Sequence, residues 1–192
     1  MSMINAIITD FDGTLVGTCE ANLATYQKVL GDLGVELSRE KYRECFGLRF
    51  DAFMTAVGID DDQMRNHIKE LKTALYPSFF EKLLPNKVLI EFFMTLRASG
   101  VKIAIASTAR KENLMNVLRY LELEESFDLI MAGVNVSKGK PDPEIYTLTM
   151  SQLGVSPDDV LIFEDSQVGL QAAEASGAKY IKITEEFFKT TK

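Results

Sequence analysis

Five short apolar runs rich in β-branched residues recur along the chain and predict buried β-strands. They cover residues 4–9, 101–106, 129–131, 160–163 and 180–183. Between the later runs, the segments ENLMNVLRYLEL and PEIYTLTMSQLG carry apolar residues at helical spacing, and Gly154 predicts the end of the second helix. This alternation predicts an α/β fold: a Rossmann-like parallel five-stranded core with helices on both faces.

An insertion is predicted between the first two strands, because about ninety residues separate them and a crossover helix needs far fewer. Its sequence predicts helices: ANLATYQKVLGDLG ends on Gly34, SREKYRECFG begins with Ser38 as a cap, and an acidic turn precedes QMRNHIKELKTAL. We therefore expect a core domain of residues 1–16 and 83–192, and a helical domain of residues 17–82 inserted into it.

Composition and charge narrow the functional classes. The net charge is -7 and the basic residues are scattered, which argues against nucleic acid or an anionic membrane as a main partner. No apolar segment approaches the ~20 residues that span a bilayer. The first residues lack the pattern of a signal peptide, so we expect a cytoplasmic protein in which Cys19 and Cys45 are reduced thiols.

Polar side chains follow four of the predicted strands. They are Asp10 and Asp12, then Ser107 and Thr108, then Lys138 and Lys140, and finally Glu164 and Asp165. The carboxyl ends of parallel strands meet at one edge of a sheet, so these side chains are expected to lie together. Clustered carboxylates repel unless a cation joins them, and an all-oxygen set suits Mg²⁺. Lysine and hydroxyl groups suit a phosphoryl group, so the pattern predicts phosphoryl chemistry with a divalent cation.

Asp10, Asp12 and Ser107 also have simpler, purely structural interpretations. Asp10 and Asp12 alone could be a helix cap and a turn residue, and Ser107 could merely cap the helix that begins near Ala109. The second carboxylate pair argues against the first alternative, whereas capping and phosphate binding are compatible. His67 is the chain's single histidine and is interpreted as a surface or cap residue. A single histidine leaves no partner set for a histidine phosphatase, a serine hydrolase triad or a multi-histidine metal site.

Four ordered motifs resemble those of the haloacid dehalogenase superfamily. They are Asp10-Phe11-Asp12-Gly13-Thr14, Ser107-Thr108, Lys140-Pro141-Asp142-Pro143 and Phe163-Glu164-Asp165-Ser166. The chain is most similar to the small phosphatases and β-phosphoglucomutases of that superfamily, which carry a helical cap between the first and second motifs. The resemblance covers nearly the whole chain and implies that residues 17–82 are such a cap.

The resemblance implies a role for each acidic residue. Asp10 would be the nucleophile that becomes an aspartyl phosphate. Asp12 would act as general acid and base, and its backbone carbonyl would bind Mg²⁺. Asp165, with Glu164 nearby, would complete the metal shell. Since the dehalogenases of the superfamily lack the second aspartate of the first motif, Asp12 favours phosphate ester chemistry.

The resemblance also implies which residues bind the phosphoryl group. Ser107 would hold its oxygens, helped by the backbone amides of Phe11, Asp12 and Thr108. Lys140 would pair with both the phosphate and Asp10. It is preferred to Lys138 because Pro141 follows it, as in the family.

Substrate contacts are expected from the cap. The candidates are Thr18, Glu20, Asn22, Arg49 and Lys72. Glu20 and Lys72 are interpreted as solvated helix residues. Gly17 stands where many relatives carry Asp, and Asn22 stands where the mutase-like members carry His, which favours a phosphatase over a mutase.

The predicted function is a Mg²⁺-dependent phosphatase that acts on a small phosphorylated metabolite, a sugar phosphate or a glycolate-type phosphate. We expect a monomer or a weak homodimer. A β-phosphoglucomutase-like hexose phosphate mutase is the alternative enzyme. A receiver-like phospho-acceptor or binding module is the alternative of another class, and the long insertion after the first strand argues against it.

Overall fold

The computed structural model describes residues 3–46 and 48–188. They form two compact units: a helical unit, Thr18–Leu83, and an α/β unit made of the described residues before Thr18 and after Leu83. The domain limits predicted from the sequence lie one residue from these. The role of the helical unit as a cap remains a prediction.

A five-stranded parallel sheet forms the centre of the α/β unit, in the order β5-β4-β1-β6-β7. The strands are β1 (Ala6–Thr9), β4 (Lys102–Ala106), β5 (Leu129–Met131), β6 (Val160–Glu164) and β7 (Lys179–Lys182). The predicted α/β class and the five-stranded Rossmann-like core are confirmed.

Helices cover both faces of this sheet. They are α5 (Lys87–Ala98), α6 (Lys111–Tyr120), α7 (Glu144–Leu153) and α8 (Gln167–Ala175). Ile8 of β1 belongs to the same buried cluster as Ile145 of α7, and Phe93 of α5 packs edge to face on Phe163 of β6 at 5.0 Å. All four residues of β1 are buried, which explains why the first apolar run does not alternate with polar residues.

A two-stranded antiparallel ladder joins the chain where it leaves the core and where it returns. It pairs β2 (Val16–Gly17) with β3 (Leu84–Pro85). Asn86 follows β3 and is buried: its backbone N donates to the Leu15 carbonyl, and its side chain donates to the Thr14 carbonyl and caps α5. This ladder was not predicted, because two-residue strands have no readable period.

The helical unit contains α1 (Cys19–Asp32), α2 (Arg39–Cys45), α3 (Phe50–Ala56), α4 (Asp62–Leu75) and a 3₁₀ segment, Tyr76–Lys82. Ser38 caps α2 and Asp61 caps α4 through side-chain bonds to backbone amides, as the sequence indicates. The short helix α3 was not predicted. Tyr26, Tyr42 and Phe53 form tilted and edge-to-face contacts in the core of this unit.

Candidate active site

The candidate active site lies at the carboxyl edge of the parallel sheet. The ends of β4 and β6 flank the end of β1, with Thr9 opposite both Ile105 and Phe163. The backbone N of Asp10 donates to the Phe163 carbonyl at 2.9 Å, and the backbone N of Ser107 donates to the Met131 carbonyl at 3.0 Å. The sheet ladder thus extends into the loops that carry the polar residues.

A tight turn follows β1 and separates the two aspartates. The Phe11 carbonyl accepts from the backbone N of Leu15 and of Val16, and Gly13 N donates to the Val16 carbonyl. Gly13 has φ +96°, and a β-carbon there would overlap the carboxylate of Asp165. Only glycine combines this backbone conformation with the absence of a side chain. The turn can therefore lie directly against Asp165 of the last motif.

Asp12 lies next to Ser107 at the far side of this turn. The Ser107 hydroxyl donates to Oδ2 of Asp12 at 3.4 Å and accepts from the backbone N of Ala109 at 3.0 Å. Ser107 is buried, and Thr108 beside it is half-buried. The helix α6 begins at Lys111 and has no side-chain cap, so the alternative interpretation of Ser107 as the cap of this helix is wrong. The Ser107 hydroxyl instead binds the loop before α6 and contacts a candidate catalytic carboxylate.

Lys140 is the lysine that the structure brings to Asp10. Its Nζ lies 2.6 Å from Oδ1 of Asp10, 2.6 Å from Oε2 of Glu164 and 3.3 Å from the Ala106 carbonyl oxygen. The Lys140 side chain is 4% exposed. The competing residue Lys138 is 72% exposed and pairs with Asp142 instead.

The loop that carries Lys140 is held at the start of α7. The carboxylate of Glu144 accepts from the backbone N of Ser137 and of Lys138 and from the Ser137 hydroxyl. These bonds hold the pKa of Glu144 below its ordinary value. The Lys140–Pro141 peptide bond in this loop is cis.

Burial and crowding perturb the carboxylates of the site. Burial, followed by the charge of Glu164, raises the pKa of Asp10 well above its usual range, although Lys140 opposes the shift. Burial also raises the pKa of Asp165 to about 6, against a hydrogen bond from Thr14. The acidic cluster thus carries more negative charge than Lys140 alone compensates.

This cluster fits a magnesium ion. Asp10, Glu164 and Asp165 each offer a carboxylate oxygen within 4.8 Å of the others. Hard oxygen ligands are those that Mg²⁺ prefers, and a divalent cation would offset the burial and the like-charge repulsion that raise the pKa values of Asp10 and Asp165. The missing β-carbon at Gly13 leaves room for the Asp165 carboxylate at this position.

The predicted cap residues lie in the helical unit at different degrees of exposure. Thr18 is buried and stands at the start of α1, where its carbonyl accepts from the backbone N of Asn22. Asn22 is half-buried on α1, and Arg49 is exposed at the start of α3. Glu20 forms an ion pair with Arg39, partly exposed to solvent as predicted.

Lys72 differs from its prediction as a solvated residue. It is 5% exposed, and its Nζ lies 3.7 Å from the centroid of the Tyr76 ring and 5.7 Å from that of Tyr26. The ammonium packs on the aromatic faces of the helical unit, where cation–π attraction helps to replace hydration. Polar residue type and helical spacing gave no signal of this burial. His67 is exposed, as expected, and Cys45 is a buried free thiol.

The fold and this constellation define a class of hydrolase. The chain matches the sequence model of the family described as haloacid dehalogenase-like hydrolase over residues 7–183. It therefore belongs to this family, and the predicted resemblance and enzyme class are confirmed.

Individual relatives agree with this assignment. The chain is 31% identical over 182 residues to a phosphorylated carbohydrates phosphatase from Thermotoga maritima, covering 93% of this chain and 84% of the relative. It is 26% identical to the β-phosphoglucomutase of Bacillus subtilis, covering 91% and 80%. The crystal structure of CbbY from Rhodobacter sphaeroides in complex with phosphate superposes with a TM-score of 0.86 at 27% identity, covering 99% of this chain and 90% of CbbY.

Among the helices of residues 3–46 and 48–188, none combines the length and the apolar character that a bilayer-spanning segment requires. The cytoplasmic location remains a prediction.

Three residues near the site were not recognised as contributors from the sequence. Thr14 donates to Asp165, Tyr146 donates to Glu164, and Gly169 leaves the space that the Glu164 carboxylate fills. Thr14 belongs to the first motif, so its position in the sequence could have indicated a place near the site. Tyr146 follows the pattern of a core aromatic residue, and nothing in its spacing indicates a polar contact.

Proposed function

We propose that this protein is a Mg²⁺-dependent phosphatase that hydrolyses a small phosphorylated metabolite, a sugar phosphate or a glycolate-type phosphate, through an aspartyl phosphate on Asp10. One observation carries the proposal: the Asp10 carboxylate is held 2.6 Å from the Lys140 ammonium at the strand edge that also carries Asp12, Ser107 and Asp165. A relative whose name specifies phosphorylated carbohydrates supports the substrate class.

The first half of the reaction transfers the phosphoryl group to the protein. A carboxylate oxygen of Asp10 attacks phosphorus while the bond between phosphorus and the ester oxygen breaks. Asp12 gives its proton to the departing oxygen, so the product leaves as an alcohol. Lys140 and the Ser107 hydroxyl stabilise the charge on the phosphoryl oxygens.

The second half releases inorganic phosphate. Asp12, now ionised, takes a proton from a water molecule, whose oxygen attacks phosphorus. The bond between phosphorus and Asp10 breaks, and the carboxylate is restored. The Asp12 carboxylate lies beside Ser107, whereas Asp10 pairs with Lys140. This arrangement supports separate roles for Asp10 as the nucleophile and Asp12 as the acid and base.

The metal would be held by the carboxylates of Asp10 and Asp165 and by the backbone carbonyl of Asp12. A bound Mg²⁺ supplies positive charge to the phosphoryl oxygens. Thr14 orients Asp165 through a bond of 2.8 Å to Oδ1, which prepares this carboxylate for a metal. Glu164 was also predicted in the metal shell, and it lies within the same cluster.

Substrate choice is assigned to the helical unit, as a cap. Thr18, Asn22 and Arg49 are proposed substrate contacts, because a cap contributes side chains and excludes water during transfer. Asn22 in place of the histidine of mutase-like relatives favours hydrolysis over the mutase reaction, which must retain and reorient a phosphorylated intermediate. We expect a monomer or a weak homodimer.

Phosphate release from a panel of small phosphate esters tests the proposal. Wild-type protein should release phosphate over many turnovers with added Mg²⁺, and Asp10→Asn should be inactive. Asp32→Asn is the matched control, because Asp32 is exposed on α1 and pairs with Lys28. Equal activity of Asp10→Asn and wild type would exclude the aspartyl nucleophile.

Two other outcomes would favour the alternative functions, a mutase or a phospho-acceptor module. Interconversion of hexose phosphate isomers, seen by NMR with a bisphosphate activator, would indicate a mutase. A single stoichiometric phosphorylation that persists for minutes without turnover would indicate a phospho-acceptor module.

A further inference from the structure

Glu164 is fully occupied by protein donors. Its side chain is 1% exposed. Oε1 accepts from the backbone N of Asp165, the backbone N of Ser166 and the Ser166 hydroxyl at 2.9–3.0 Å. Oε2 accepts from Lys140 Nζ at 2.6 Å and from the Tyr146 hydroxyl at 2.6 Å. Five donors on two oxygens leave this carboxylate little capacity for a metal ion.

The surroundings of Glu164 hold it in this orientation. Gly169 lies in the first turn of α8, where a β-carbon would overlap the Glu164 carboxylate. The Ser166 hydroxyl both donates to Glu164 and accepts from the backbone N of Gly169 as the cap of α8. Turning Glu164 toward another partner would break this arrangement at several points.

Tyr146 is the neutral member of the network. It is 0% exposed on α7, and its hydroxyl reaches the same oxygen of Glu164 that binds Lys140. Its ring centroid also lies 5.0 Å from the Lys140 ammonium. Lys140 is shared equally between Asp10 and Glu164, at 2.6 Å from each. A donor on Oε2 takes up part of the negative charge that would otherwise attract Lys140 toward Glu164.

We propose that Tyr146 is a positioning residue which, through Glu164, keeps the Lys140 ammonium on the nucleophile Asp10, and that Glu164 serves as the counter-ion of Lys140 and is not a ligand of the metal. The proposal rests on the proposed function in that Lys140 must contact the phosphoryl group during transfer. It assigns the metal to Asp10, Asp165 and the Asp12 carbonyl alone.

Removal of one hydroxyl tests the positioning role. Tyr146→Phe keeps the ring and deletes the hydrogen bond, so kcat should fall about tenfold while KM stays within about twofold, as expected for a hydrogen bond to a charged group. Tyr180→Phe is the control, since Tyr180 is exposed on the edge strand β7. An unchanged kcat in Tyr146→Phe, or equal losses in both variants, would overturn the role.

A spectroscopic measurement separates this role from general damage. Beryllium trifluoride with Mg²⁺ mimics a phosphoryl group on an aspartate, and its fluorines report their neighbours by ¹⁹F NMR. Tyr146→Phe should form the adduct but shift the resonance of the fluorine that faces Lys140. An adduct spectrum identical to that of wild type would contradict displacement of Lys140.

Metal binding tests, without any turnover, the proposal that Glu164 is not a ligand of the metal. Mn²⁺, observed by electron paramagnetic resonance, should bind Glu164→Gln within about threefold of wild type, whereas Asp165→Asn should lose at least about tenfold. Equal losses in both variants would make Glu164 a ligand and overturn the proposal. If the wild type hydrolyses no ester, the proposed function fails, yet these titrations still decide the role of Glu164.

Discussion

Thr14 and Asp165 are separated by 151 residues, yet the Thr14 hydroxyl donates a hydrogen bond of 2.8 Å to Oδ1 of Asp165. Thr14 is completely buried, and its own carbonyl accepts from the Asn86 side chain. The bond therefore orients a candidate metal ligand from the turn that carries Asp10 and Asp12, the two candidate catalytic aspartates. It connects the first and last motifs of the chain.

Replacing Thr14 by Val should weaken metal binding. The variant keeps the shape but removes the donor, so we expect the Mn²⁺ affinity to fall roughly tenfold. Half-maximal phosphatase activity should require a correspondingly higher Mg²⁺ concentration. Thr14→Ser, which keeps a hydroxyl, should recover most of the affinity. Equal affinities for wild type and Thr14→Val would show that Asp165 needs no such support.

Gly13→Ala should abolish activity. The positive φ strains the backbone, and the new methyl group displaces the Asp165 carboxylate. Gly154→Ala is the control, because Gly154 has φ +67° but open space around it. It should cost about 1–2 kcal/mol of unfolding free energy in urea with full activity retained. If both variants remained active, the close approach would have no catalytic importance.

Asn86→Ala should destabilise the α/β unit. The substitution removes the cap of α5 and leaves the Thr14 carbonyl without its side-chain donor, which together cost about 2 kcal/mol. Urea unfolding measures this loss. Asn66→Ala on an exposed position of α4 should change stability by less than about 0.5 kcal/mol. Matching stabilities of the two variants would contradict the role given to Asn86.

Asp128→Asn should change the pH dependence of stability. Burial opposes ionisation of Asp128, but the Ile103 amide and the Arg97 guanidinium outweigh it and hold the pKa of this carboxyl below its ordinary value. A depressed folded-state pKa contributes stability above the unfolded pKa of about 3.9, and this stability is lost as pH falls. Wild type should therefore melt at a higher temperature than Asp128→Asn at pH 7.

The same difference in melting temperature should shrink as the pH is lowered from about 5 toward 3. Asp158→Asn, at an exposed position, should melt like wild type throughout this range. A difference for Asp128→Asn that stayed constant with pH would assign the effect to packing and not to charge.

The sheet and its motifs could be predicted because each strand is a short apolar run that ends in polar residues. Burial on both faces makes residues 6–8 of β1 and residues 103–106 of β4 continuous apolar runs, and chain direction then places Asp10, Ser107 and Asp165 at one edge. These relationships follow from local sequence and topology alone.

Other features depend on contacts between distant residues and left no local signal. Tyr146 has the spacing of a core aromatic residue, and its hydroxyl acquires a role only because Glu164 lies opposite. Lys72 is buried because aromatic rings of the helical unit surround its ammonium, although its type suggested a solvated position. The helix α3 and the β2–β3 ladder are too short for periodicity to indicate them.

The β2–β3 ladder has a consequence for how such a protein can evolve. Gly17 and Leu84 pair directly, so the chain leaves and re-enters the core at adjacent points about 5 Å apart. Recombination at this one junction can exchange the intervening 18–83 segment without interrupting β1, β4 or β6, the strands that precede Asp10, Ser107 and Asp165. Under the roles proposed above, the substrate range can then change while the candidate phosphoryl-transfer residues are inherited unchanged.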